Sequence, residues 1–169
     1  MIDKLEFTCP GFFEGGEFPV KHTGRGEDLS PEFYLHNLSP NAKTVTIILE
    51  DISHPLTKHF THWLIWNIPA STHIEGALSK GYVVPQVKDA RQGIAYGWHG
   101  YAGPNPPLGQ NHSYRFTIYV LDTSLELGKW TRRPQLLGEM ANHILQKGQL
   151  TATFGSPKIW QPLLDPSLG

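Results

Sequence analysis

The chain has 169 residues, 39% hydrophobic and 17% charged, with a formal net charge of −1. That length holds one domain with a sizeable core, and the balance of charge excludes intrinsic disorder and the basic footprint of a nucleic-acid binder. One cysteine, Cys9, excludes an intrachain disulfide and a zinc site built from several thiolates.

The first residues, MIDKLEFTCPGFF, lack the basic region and apolar run of a signal peptide. No stretch approaches the ~20 apolar residues of a membrane span, so a reducing, cytoplasmic setting is expected. The chain has no internal repeat. Gly (17) and Pro (14) are frequent and punctuate short elements, which favours a β-rich domain with long shaped loops.

In chain order, Lys4 to Cys9 is a short candidate strand and Phe18 to Thr23 a second. Gly24 to Phe33 is loop chemistry, Phe33 to Asn37 a further strand, and Asn37 to Ala42 a turn. Thr44 to Asp51 is the strongest strand: Val45, Ile47, Leu49 and Asp51 share a face, which Asp51 ends with a carboxylate. Thr61 to Pro69 follows, with His62, Leu64 and Trp66 expected on one face. Residues 99–110 are rich in Pro and Gly, which fix φ or let the backbone approach closely, and suit a wall of fixed shape. That wall encloses a ligand or closes the end of a barrel. Beyond it, His112, Tyr114, Phe116, Ile118 and Val120 alternate with more polar residues. Leu136 to Lys147 has helical periodicity in Leu137, Met140, Ala141, Ile144 and Leu145, with Gly148 as its stop. Leu150 to Phe154 is a last strand, and a Pro-rich tail with Trp160 runs from about residue 156. The sum is a mainly β single domain over residues 1–169, a sandwich or barrel-like sheet of about eight strands with one helix.

Asp51, His62, and His112 with Tyr114 thus end apolar faces on three strands. If those ends converge, they make a small pocket with a carboxylate, two imidazoles and a phenol. Such a group donates and accepts hydrogen bonds in several arrangements, and imidazolium beside Asp51 suits a compact oxyanion such as phosphate. Backbone amides of the Gly-rich wall add donors. Each residue alone also fits a half-buried strand end with a wet polar tip. His54 and His59 read as solvated loop histidines; their spacing matches no zinc signature. Ser53 reads as a loop residue, because no GxSxG elbow surrounds it.

GEDLSP (26–31), EDISHP (50–55), HWLIWNIPA (62–70), YAGPNPPLGQNHSYRFTIYVLD (101–122) and LLGEMANHIL, in this order, resemble the phosphatidylethanolamine-binding protein family. The likeness is greatest to its bacterial and archaeal branch, relatives of the Raf kinase inhibitor proteins. The resemblance implies a large antiparallel sheet packed on a smaller one, a C-terminal helix, and a pocket for phosphate-like groups at one end of the sheet. It also implies ligand-binding roles for Asp51, Pro55, His62, Tyr101, Gly103, Pro104, Pro107, His112 and Tyr114. Asp51 and Pro55 match the first acid and last proline of the family's Asp-Pro-Asp-Ala-Pro motif. Ile52-Ser53-His54 departs from it by removing the second acid, which favours anions.

The expected function is non-enzymatic binding of a small anionic or phosphorylated ligand, with His62, His112 and Tyr114 donating to it. No cofactor is expected. Regulation through a protein partner such as a kinase, and a homodimer, follow from the resemblance. The enzyme alternative is hydrolysis or metal-assisted chemistry on the same residues.

Overall fold

The computed structural model describes residues 1–155; the expected tail with Trp160 lies outside the described residues. Among the described residues nine strands form two sheets, accompanied by one α-helix. The strands are β1 (Asp3–Lys4), β2 (Phe7–Thr8), β3 (Phe33–Leu35), β4 (Thr44–Asp51), β5 (Phe60–Pro69), β6 (His73–Ile74), β7 (Arg91–Gln92), β8 (Asn111–Leu121) and β9 (Ile144–Gly155). The helix, α1, spans Arg133–Met140. The large sheet runs β1-β9-β8-β4-β5-β7 and the small one β2-β3-β6. The large sheet is mixed rather than wholly antiparallel, because β1 lies parallel to β9 at one edge.

β4, at the centre of the large sheet, is buried along its whole length. Its odd-numbered side chains, Val45, Ile47 and Leu49, join Phe18, Phe33, Trp63 and Phe116 in a core between the two sheets. On the opposite face Ile48 packs with Leu64, Trp66, Leu136 and Met140 beneath α1. A strand buried on both faces reads as a continuous apolar run, as TVTIILED nearly does.

Three local expectations fail. Lys4 to Cys9 is not one strand: β1 pairs in the large sheet and β2 in the small one, so the chain crosses between layers at Leu5–Glu6. Phe18 to Thr23 holds no strand; Glu17 makes a single bridge to Thr153, and Val20–His22 then closes as a 3-10 turn after Pro19. The expected helix Leu136–Lys147 ends at Met140, and Ile144–Lys147 begins β9. Its apolar periodicity there serves a strand paired along β8 from Leu121 to Asn111. Gly148 is not a helix stop but a crossing point: a Cβ there would lie 2.6 Å from the Leu5 carbonyl oxygen and 2.9 Å from the Phe7 ring.

Candidate functional site

The site forms where β4, β5 and β8 end together. Asp51 pairs across the sheet with Tyr114 on β8 and with Phe60 on β5. Period-two geometry puts His112 on the same face as Tyr114.

His62 reaches this face by another route. Two residues before Leu64, regular alternation would place it beneath α1 with Leu64 and Trp66. Instead Leu49 pairs with Trp63 and Glu50 with Thr61, so His62 is the extra residue of a β-bulge. A bulge re-aims a side chain; this one turns His62 onto the face of Tyr114, whose ring centroid is 5.4 Å away. A second register shift, between Val45 and Ile47, explains why Trp66 and Ile68 belong to different cores. The expected common face of His62, Leu64 and Trp66 is therefore corrected.

Asp51 is 2% exposed and its oxygens are fully engaged. Oδ2 accepts from His112 Nδ1 at 2.6 Å. Oδ1 accepts from the Ser53 backbone N–H at 2.9 Å and its hydroxyl at 3.2 Å, a local turn typical of Asp. The Ser53 oxygen accepts in turn from the Ser113 N–H at 2.7 Å. Ser53 therefore fastens the 51–55 loop to β8. His112 Nε2 stands 2.8 Å from the Gln110 side-chain amide, which presents oxygen to a protonated ring or, turned over, NH₂ to a neutral one.

His62 donates from Nδ1 to the Ala102 carbonyl at 2.9 Å. Burial pushes its pKa below the usual imidazole range, although the Ala102 carbonyl and the Asp51 charge pull the other way. Near pH 7 the ring is neutral, and its Nε2 is an acceptor. In that state His62 offers the cavity an acceptor rather than a second donor. Burial, aided by the Asp51 charge, pushes the Tyr114 phenol well above its ordinary value, so it stays an O–H donor.

Asp51, Pro55, His62, Pro107, His112 and Tyr114 line one cavity of about 230 Å³. Tyr101, Gly103 and Pro104 do not line it. Tyr101 is buried behind the wall, its hydroxyl donating to the His22 carbonyl at 2.6 Å and its ring edge-on to Trp63. The Gly103 N–H donates to Asp28 at 2.7 Å, and the Pro104 carbonyl accepts from Gly24 at 2.9 Å. These three residues hold the wall to the 22–28 loop, while Asn105, Pro106 and Pro107 face inward.

The cavity has further contributors. His54, expected as a loop histidine able to add positive charge at the site, lies over it, stacked on Phe60 with centroids 4.5 Å apart. Tyr96 comes from the long connection after β7 and sits 5.1 Å from the His62 ring. Gln110 carried a usable signal, since it lies two residues before His112. His59, the other presumed loop histidine, meets Glu50 at 3.1 Å rather than the cavity. Among the described residues, no group of three or more His, Cys, Asp or Glu is arranged to hold a metal, and no helix is long and apolar enough to cross a membrane.

Comparison with known proteins places this geometry in context. The family model for phosphatidylethanolamine-binding proteins matches residues 8–155. A UPF0098 protein of Pyrococcus horikoshii is 36% identical over 155 residues, covering 90% of this chain and 78% of that protein. One from Archaeoglobus fulgidus is 39% identical over 143 residues, 85% of this chain and 48% of that protein, so the chain spans about half its length. The crystal structure of a phosphatidylethanolamine-binding protein homolog from Chlamydia trachomatis superposes with a TM-score of 0.78 at 25% identity, covering 91% of this chain and 99% of that one. By sequence and by fold, the chain belongs to the phosphatidylethanolamine-binding protein family.

Proposed function

We propose that the protein binds a small ligand carrying a phosphate or similar oxyanion in the cavity at the end of β4, β5 and β8. The observation that carries this reading is the polar end of that cavity: a protonated phenol and two imidazoles beside a carboxylate already satisfied by three hydrogen bonds. Asp51 orients His112 and holds the loop, so its oxygens are not bare acceptors facing the ligand. Tyr114 donates; His54, whose Nδ1 accepts from the Leu56 N–H, donates through Nε2–H; and His112 donates through Nε2 where the ligand takes the place of the Gln110 amide. Neutral His62 accepts, which favours a ligand that also presents an N–H or a P–O–H. The volume, about 230 Å³, falls below the ~300–1,000 Å³ of drug-sized sites and suits a head group.

Binding without turnover is part of the same proposal. The Ser53 hydroxyl donates to Asp51 at 3.2 Å and accepts from Ser113, but that carboxylate is shared with the Ser53 N–H and His112, and no imidazole bonds the hydroxyl among the described residues. The test is a phosphoethanolamine titration followed by NMR of the histidine rings. Saturable shifts at His54, His62 and His112, lost in His112→Ala, are expected. Unchanged rings at millimolar ligand would refute the proposal, and steady hydrolysis of a phosphate ester that stops in His112→Ala would replace it with an enzyme.

A further inference from the structure

Asp51 and Glu50 are neighbours on β4 and so point to opposite faces of the large sheet. Behind the cavity just described, the Glu50 side chain is 3% exposed and gathers cations from three separate elements. Arg115 of β8 lies 3.0 Å from Oε1, Arg133 at the start of α1 3.0 Å from Oε2, and His59 3.1 Å from Oε2. One carboxylate thus faces two permanent guanidinium charges, and His59 adds another when protonated.

The cluster is left with donors to spare. Arg133 approaches Glu50 through Nε at ion-pair distance but without hydrogen-bond alignment, and the buried Nε of Arg115 has no acceptor among the described residues. Arg132, exposed and adjacent, meets no carboxylate at ion-pair distance among the described residues. Beside the cluster opens a second cavity of about 480 Å³. His59, Arg132 and Arg133 line its basic part, while Phe60, Ile94 and Tyr96 make its apolar part; among the described residues no carboxylate lines it. Phe60 and Tyr96, with ring centroids 5.6 Å apart, also line the first cavity, so the two share an aromatic partition.

We propose that this groove is a second anion site, which takes the phosphoryl end of a small phosphorylated molecule against Arg132, Arg133 and His59. The guanidinium fork matches phosphate oxygens in pairs. The excess of positive charge favours a multiply charged phosphate over a single carboxylate. The non-phosphate part of the molecule lies on Phe60, Ile94 and Tyr96. The charged residues of this site stand on the opposite face, and the site does not depend on the first cavity being an anion site.

The experiment is a titration with inorganic pyrophosphate, read by NMR at the Nε–H of Arg115 and Arg133 and at the rings of His59 and His112. It is run on wild type, Arg132→Ala and His112→Ala at fixed ionic strength. Saturable shifts at Arg133 and His59 are expected, with affinity at least about tenfold weaker in Arg132→Ala, the size of one lost charged hydrogen bond. In His112→Ala those shifts should persist. Because Arg132 is exposed, its substitution leaves the fold in place. Glu50→Gln, which removes the competing carboxylate, should tighten binding in protein that remains folded. Shifts at Arg133 and His59 that never saturate, or that are equal in wild type and Arg132→Ala, would overturn the second site. Loss of response at His112 alone would bear only on the first.

Discussion

Gly103→Ala tests whether the wall of the first cavity is held in place by close contact with the 22–28 loop. A Cβ on residue 103 would overlap the His22 carbonyl oxygen, and would stand 3.0 Å from its carbon and 2.9 Å from Asp28 Oδ1. Two of those neighbours are backbone atoms, so the wall and the loop must separate by roughly 1 Å to restore normal contact distances. That separation breaks the charged hydrogen bond from Gly103 N–H to Asp28, 2.7 Å long, worth about 1.5–3 kcal/mol. Overpacking adds about 1–3 kcal/mol. The combined loss, about 2.5–6 kcal/mol, lowers Tm by roughly 5–24 °C for a chain of this size. Ala102, the preceding residue, accepts the His62 hydrogen bond, so ligand affinity should fall as well. Thermal melts by circular dichroism, with Gly128→Ala as control, make the measurement; a Cβ on Gly128 meets nothing within 4 Å. A Tm for Gly103→Ala within the scatter of the control would refute the reasoning, since it would mean the wall can shift freely.

Other consequences concern charge and proton balance at the first cavity. Ser53→Asp puts a second carboxylate beside Asp51 and should weaken phosphoethanolamine binding several-fold, which calorimetric titration would detect. Tyr114→Phe removes a donor that stays protonated at all physiological pH, and should lower affinity by roughly tenfold, the scale of one hydrogen bond to a charged group. For His62, burial lowers the folded-state pKa, so between that value and the unfolded value of about 6.5 the unfolded chain binds more protons. The contribution is complete above about pH 6.5 and is lost as pH falls towards the folded pKa. Chemical denaturation at pH 5 and pH 7.5 should show that loss in wild type and a smaller one in His62→Gln. An equal loss in both would show that other groups carry the slope.

The legible parts of the fold are those where local pattern and burial agree. β4 spans Thr44–Asp51 as its unbroken apolar run predicts, and its terminal Asp51 marks the cavity. His112 and Tyr114 follow from plain alternation on β8. Alternation alone turns His62 towards α1; the bulge that brings it to the cavity is set by pairing with β4, which no single-strand pattern contains. The helical pattern overruns the C-terminal end of α1 because Ile144 and Leu145 satisfy both a helical stripe and a strand, and only the long ladder to β8 decides between them. Tyr101, Gly103 and Pro104 carry a motif that looks like lining but works as anchorage, a distinction that rests on contacts with residues 22–28 far away in sequence. His54 stacks on Phe60, and Tyr96 is held by its backbone N–H on the Thr61 carbonyl and a tilted contact with His62; no periodicity reports either.

The bulge at His62 also bears on how this sequence can drift. Because Thr61 and Trp63 already pair with consecutive residues of β4, loss of the single codon for His62 would leave a regular ladder with every neighbouring side chain still facing its own core. Most one-residue deletions in a central strand invert the burial of everything beyond them. This one would remove an imidazole from the cavity and little else. Descendants that have abandoned the ligand while keeping the scaffold would therefore be recognisable by a one-residue gap between Thr61 and Trp63.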